Sequence, residues 1–411
     1  MNCNLIASHQ PEHDDEGRST LPPISSVQFN PNATYLATAH YDCSMHIFKL
    51  PFSKYGSPSK QILSCVKIQG NRQRSEKSTL SWSSSGTLIA FGNSIYCVSK
   101  SNKRSTQLSS SLPKCLDLPI SHRDPQFFYK DKFLLTVSAS TLFLNRLPDF
   151  NTSMDCINNE VHNNNQKREK GNCHPHIGMK SRTAYTWLHG TAQNITSIDA
   201  ISNTQAHMYS YLIAVATSDK KLYIHDASTG KNVWSVPNCA GVRAAHSIAF
   251  PRIVSHSGES DCSDRNVSIP VLAAASVDGG GLISLWDIRT ASSAGHLRGH
   301  VNKRECCRTS FSPCMRYVAV GSEGRNAACA VFYDLRKMGC SSAENVERYG
   351  IDSKNGIVAS LGGKGSYGSK SKYLIGNGSI IDVKYNPIFP QVVTASLDGS
   401  LRFYKENKNE T

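Results

Sequence analysis

One unit recurs along this chain: an apolar strand, a turn, a second apolar strand, an acidic turn residue and a third strand. It is cleanest in SIIDVKYNPIFPQVVTASLDGSLRFYKE (379–406) and in ISSVQFNPNATYLATAHYDCSMHIFKL (24–50). It returns in 195–236, in 246–290 and in 308–337. The segments are short, rich in β-branched, aromatic or Ala residues, and separated by turn residues, which is strand chemistry. Such a repeat constrains the fold more than any other feature, because a single unit cannot bury its faces and must stack on its neighbours.

Spacing sharpens the pattern. Six residues separate the turn acid from the residue closing the third strand in Asp42–Phe48, Asp219–His225 and Asp398–Tyr404. The unit ending in Trp286 takes eight from Asp278, because Gly279–Gly281 lengthens its turn. Glu323 replaces Asp in the next, with Tyr333 ten residues on. Two weaker units, 78–100 and 127–147, lack the turn acid. Asp42 and Asp219 are 177 residues apart; three steps of about 44 residues use roughly 132 and leave about 45 for one insertion. The polar stretch 148–190 has that size, so the total is seven units.

Composition narrows the class. Hydrophobic residues make up 39% of the 411, enough for a large core. The longest apolar runs resemble Val271–Ala275, far short of the roughly 18 residues a membrane helix needs. The amino-terminal MNCNLIASHQPEHDDEG lacks the basic and apolar regions of a secretory signal. Many of the fourteen Cys sit singly inside apolar runs, Cys97 and Cys329 among them, as in a reducing compartment. A cytoplasmic, or else nuclear, protein is expected. Net charge is +14, with basic clusters at 71–77, 100–104, 166–170 and 368–372. None carries interleaved aromatics, so they read as solvated loops and not as a nucleic-acid surface.

The units resemble the WD40 repeat over roughly 24–406. Trp286-Asp287 is the full signature, His225-Asp226 and Tyr333-Asp334 are approximate forms, and Gly299-His300 is the Gly-His pair. Asn377 stands where the last His would be. The resemblance implies an all-β fold, a seven-bladed WD40-type β-propeller with long disordered loop insertions at about 148–190, 251–269 and 340–372. The chain stops before a fourth strand of the last blade. Residues 1–10, through Asn4–Ser8, are therefore expected to supply it and hide the open edge. From Thr186 to Tyr404 the chain is also similar to the carboxy-terminal propeller of the WD repeat-containing protein 27 family. That likeness implies a scaffold without catalytic function, as a short member or a piece of a longer chain.

Gly362–Gly368 is Gly-rich, but Val358 and Gly365 break the phosphate-loop pattern. Cys173-His174-Pro175-His176 has no second ligand pair, so no metal is expected. Cys306-Cys307 reads as packing, and no G-x-S-x-G elbow is present. No catalytic residue and no cofactor follow. His300 is expected to bridge the turn acid and Ser322 within its blade. Trp286-Asp287-Ile288-Arg289 matches the W-D-x-R box found in substrate receptors of cullin-RING ubiquitin ligases, and Tyr333-Asp334-Leu335-Arg336 is a relaxed copy. Two such Arg on a rim could grip acidic groups of an adaptor bidentately.

The expected function is a non-catalytic scaffold that binds other proteins. The alternatives are a cullin-RING substrate receptor and a nucleic-acid-associated propeller. Loops on one face are the expected contact surface, since Trp, Tyr and Arg dominate interface energetics. The candidates there are Tyr41, Trp187 and His189, then Lys220, His300 and Asn302, then Arg325, Tyr373 and Asn377.

Overall fold

The computed structural model describes residues 3–9, 22–50, 64–69, 79–98, 112–148, 150, 181–200, 211–251, 271–276, 281–323, 329–337, 357–361 and 379–406. After β1 (Cys3–His9), strands follow in fours. Blade 1 is β2 (Ile24–Phe29), β3 (Tyr35–His40), β4 (Ser44–Lys49) and β5 (Ser64–Gln69). Blade 2 is β6 (Leu80–Trp82), β7 (Leu88–Phe91), β8 (Ser94–Cys97) and β9 (Lys114–Asp117). Blade 3 is β10 (Arg123–Phe128), β11 (Phe133–Ser138), β12 (Thr141–Arg146) and β13 (Arg182–Leu188). Blade 4 is β14 (Ile195–Ala200), β15 (Leu212–Thr217), β16 (Leu222–Asp226) and β17 (Lys231–Val236). Blade 5 is β18 (Ala245–Ala249), β19 (Val271–Ser276), β20 (Leu282–Asp287) and β21 (Ser292–Arg298). Blade 6 is β22 (Thr309–Phe311), β23 (Tyr317–Ser322), β24 (Cys329–Asp334) and β25 (Ile357–Leu361). Blade 7 is β26 (Ile380–Tyr385), β27 (Gln391–Ser396) and β28 (Leu401–Glu406), with β1 as its outer strand. The chain is a seven-bladed β-propeller.

In blade 7 the first and last described strands meet. β1 runs antiparallel to β28, pairing Cys3 with Glu406 and His9 with Leu401, with a register shift between Leu5 and Ala7. Ala7 is buried in the apolar layer shared by blades 7 and 1.

The core is a ring of layers, one at each seam between blades. Strand alternation feeds two layers at once. In β15, Ile213 and Val215 face blade 3 while Ala214 and Ala216 face blade 5. In β3, Leu36 joins the layer with blade 7, and Ala37 and Ala39 the layer with blade 2. This is why second strands such as LIAVAT and VLAAAS read as unbroken apolar runs: both of their faces are covered. Outer strands are mostly exposed, as in Arg182–Leu188, where only Trp187 is buried.

Hydrogen bonds between inner strands then fix how the blades sit. Val27 N–H donates to Asp382 Oδ2 (2.9 Å) across the 7–1 seam, and Trp82 Nε1 to Gln28 O (3.2 Å) across 1–2. Phe127 N–H donates to Ser81 Oγ (3.1 Å), and Gln126 Nε2 to Asp199 Oδ1 (2.7 Å). Ile248 N–H meets Ser197 Oγ (3.1 Å), Thr309 N–H meets Ser247 Oγ (3.1 Å), and Ser310 Oγ donates to Val383 O (2.7 Å). Every seam has at least one such bond. Each contributes a net of roughly 1 kcal/mol. A single fully buried Leu or Phe contributes about 1.5–3 kcal/mol. The apolar layers therefore drive assembly and the polar bonds set register.

The turn acids have a local job. Asp42 Oδ1 accepts Ser44 N–H and Asp398 Oδ1 accepts Ser400 N–H, both at 2.9 Å. The residue after each acid is left-handed: Cys43 at φ 61°, Lys220 at φ 68° and Gly399 at φ 82°. The side chain steadies a hairpin that only Gly adopts without strain. Blades 2 and 3 dispense with it through Gly92 (φ 57°) and Ala139 (φ 48°).

Two boundaries differ from the sequence reading. The end of the 148–190 stretch is β13, the outer strand of blade 3, and 340–372 contains β25, the outer strand of blade 6. The unit at 127–147 holds a third strand, β12, where two were expected. Most of the expected insertions lie outside the described residues.

Candidate interaction surfaces

Four antiparallel strands per blade place two kinds of connection on one face. These are the hairpin from second to third strand and the link from the outer strand into the next blade. This is the upper face; the remaining turns form the lower. Inner strands of all seven blades surround an axial cavity of about 540 Å³, into which His246, Arg308 and Lys384 contribute. Lys384 Nζ lies 3.4 Å from Asp382 Oδ1.

Of the upper-face candidates, Lys220 is exposed at the hairpin tip of blade 4. Tyr41 lies partly buried at the equivalent turn of blade 1, its N–H on Pro23 O (3.0 Å). Burial, aided by the Glu305 carboxylate, pushes its phenol up to about 12.

Four other candidates are buried, which corrects their reading as surface contacts. Trp187 donates its indole N–H to Gly230 O (2.9 Å) and packs against His225, tying blade 3's outer strand to blade 4. His189 packs against Tyr223 with ring centres 4.5 Å apart. Asn302 lies below the surface, its Nδ2 3.5 Å from His246 Nε2. His300 places Nδ1 2.9 Å from the Tyr333 hydroxyl. Ser322 Oγ accepts Val301 N–H (2.9 Å), and Glu323, expected to face His300, caps the N–H groups of Lys303, Arg304 and Glu305 at 2.7–2.8 Å. Glu323 is long enough to reach over the incoming loop, which is why this blade departs from the expected bridge. Arg325, Tyr373 and Asn377 lie outside the described residues, as do Cys173–His176 and Gly362–Gly368.

The two W-D-x-R boxes lie on lower-face turns. Asp287 accepts Arg289 N–H (2.9 Å), and the Arg289 guanidinium folds back on the same carboxylate through Nε (3.2 Å) and Nη2 (2.8 Å). Asp334 is held likewise by Arg336 N–H (3.0 Å), Nε (3.2 Å) and Nη2 (3.1 Å), and receives Arg316 Nε as well (3.0 Å). Arg289 holds the Asp287 carboxyl below its ordinary range against the effect of burial. Burial pushes Asp334 up, but its Arg336 and Arg316 bonds outweigh that and leave it lowered. Asp226 makes the same turn with Ser228, accepting its N–H (2.7 Å) and hydroxyl (2.6 Å). The acid is thus a turn-maker first. Trp286 and Tyr333 point inward: the Trp286 indole donates to Cys239 O (2.8 Å), and Tyr333 is fully buried.

A family model, WD domain, G-beta repeat, matches residues 13–49. Match and architecture together support a WD40-repeat protein. The WD40 propeller is generally a protein-interaction scaffold and typically non-catalytic. No helix among the described residues is long and apolar enough to cross a membrane. Residue reading missed one set of surface features, aliphatic side chains exposed on the upper connections. A lone Val or Ile in a loop carries no periodicity to reveal it.

Proposed function

We propose that this WD40-repeat chain is a non-catalytic adaptor that holds partner proteins on its rims, in the cytosol or nucleus. The observation that carries the reading is the closed ring itself. Side chains of the inner strands are committed to seams and cavity, so exposure falls on the connecting loops, where partners dock. The test is quantitative affinity capture from lysate with the full chain against Arg289→Glu/Arg336→Glu, both first shown to melt alike. Partners retained at constant stoichiometry by both proteins support the adaptor. Failure to retain any partner with either protein sinks it.

A second reading, a cullin-RING substrate receptor, is favoured by one observation. Arg289 and Arg336 are both exposed, and each guanidinium is oriented by the acid two residues before it. A ligase adaptor captured by wild type and lost by the double variant would establish that reading over a generic adaptor.

A further inference from the structure

Four connections on the upper face each present one exposed aliphatic side chain. Ile120 leads into blade 3 at 68% exposure, Leu188 into blade 4 at 71%, Val242 into blade 5 at 78% and Val301 into blade 6 at 40%. Their places are secured by hydrogen bonds to the neighbouring hairpins of that face. Leu118 N–H donates to Asn93 O (2.7 Å), His189 N–H to Ser140 O (3.0 Å), Cys239 N–H to Lys220 O (3.2 Å), and Glu323 N–H to Val301 O (2.8 Å). Single exposed apolar residues are ordinary, but one on each of four successive connections makes an arc.

From the blade 4 hairpin to the connection into blade 6, the fully exposed charges without an ion pair are cationic. Lys220, Arg243, Lys303 and Arg304 are exposed. Among the described residues no ion pair engages them. Two carboxylates of the arc are turned to internal use. Asp219 takes the Thr217 and Thr191 hydroxyls and the Lys221 ammonium, and Glu323 caps three backbone N–H groups. Asp117, at the end of the outer strand of blade 2, is exposed but paired with Lys114, and Glu305 is partly buried, so the charge left for a partner is cationic, beside the aliphatic tips.

The geometry points to this arc, over the connections into blades 3 to 6, as the docking site for an acidic peptide segment whose aliphatic side chains meet Ile120, Leu188, Val242 and Val301. The proposal rests on the adaptor reading and gives its partner a chemistry. Aspartate and glutamate of the segment pair with the four cations, while its Leu or Val side chains remove the four tips from water. A polyanion without apolar groups would leave those tips wet. A neutral apolar peptide would leave the cations unpaired, so the two features together select a mixed sequence.

The experiment is fluorescence anisotropy with the full chain and a labelled peptide of alternating Glu and Leu. Companion peptides carry Ser for Leu or Lys for Glu. Expected are saturable binding, weakened about tenfold by Leu188→Asp/Val242→Asp and again by Arg243→Glu/Arg304→Glu, and by raised salt. Ile388→Asp, on the lower face, should leave binding within about twofold. Since all these side chains are exposed, each variant should melt as wild type; the charge pair serves alone if the apolar pair does not. Equal binding of the Ser peptide, equal binding by the variants, or binding to phosphatidylserine vesicles or an RNA oligomer with none to the Glu–Leu peptide would overturn the proposal. Cellular partners still captured after such a failure would leave the adaptor reading standing. Peptide binding with no captured partner would sink the adaptor alone.

Discussion

Val27 and Asp382 are 355 positions apart, yet the backbone N–H of one donates to the carboxylate of the other at 2.9 Å. Asp382 is fully buried and also accepts the Ser26 hydroxyl and the Lys384 ammonium, each at 3.4 Å. Where other seams use Ser81 or Ser247 for this task, the closing seam uses a carboxylate, as does the seam between blades 4 and 5, where Asp199 Oδ2 accepts Phe250 N–H (2.7 Å). Asp382→Ala strands a buried N–H and should cost about 1–3 kcal/mol in urea unfolding. Asp382→Asn keeps an acceptor and should cost less. Equal losses from both would show that the N–H bond is not what matters.

The β1–β28 ladder makes a second expectation. Deleting residues 1–10 exposes the edge of β28 and withdraws Ala7 from its layer. The melting temperature should fall by at least roughly 5 °C, and self-association should rise. Unchanged melting and a monomeric profile on light scattering would contradict it.

Acid should loosen the ring through neutral buried histidines. Burial and the neighbouring His40 push His46 down to about 4, and burial with His189 pushes His225 down to about 3. Both titrate near 6.5 when unfolded. Between about pH 6.5 and those values the unfolded chain binds more protons, so stability is full above about 6.5 and declines as pH falls. His40 and His189 are lowered in the same sense. Melting temperature followed from pH 7.5 to 5 should drop for wild type and drop less for His46→Leu/His225→Leu. Parallel slopes would refute this.

Close approach of blades gives a fourth. A Cβ on Gly321 would stand 2.0 Å from Ile380 O, backbone of the next blade. Gly321→Ala must push blades 6 and 7 apart and should cost roughly 1–3 kcal/mol. At Gly92 nothing lies within 4 Å of that position, and only its φ of +57° resists a side chain. Gly92→Ala should cost only the strain of the left-handed backbone, about 1–2 kcal/mol by the same denaturation curves.

The seven blades were legible because second strands, buried on both faces, must be apolar, and because the hairpin acids recur at fixed spacing. Outer strands were not. Arg182–Leu188 buries one side chain in seven, so its Thr, Tyr and Trp residues come without the apolar run or alternation that would mark β13 as a strand. The candidate sites fared by the same logic. Exposure of Lys220 follows from its place at a hairpin tip, whereas aromatic Trp187 and polar His300 and Asn302 were drawn inward by partners distant in sequence. The function of Arg289 and Arg336 in the turn was hidden because a two-residue step shows no sign that the guanidinium doubles back on its own acid.

Pairing of Cys3 with Glu406 has a topological result. With those two residues side by side, a short linker can join them, and the chain can be opened instead at any exposed connection, between blades 4 and 5 for example. Such a circular permutant keeps every strand pair and every seam. The order in which the blades are synthesised would change while the finished ring would not, so the molecule has a sequence with a beginning and a structure without one.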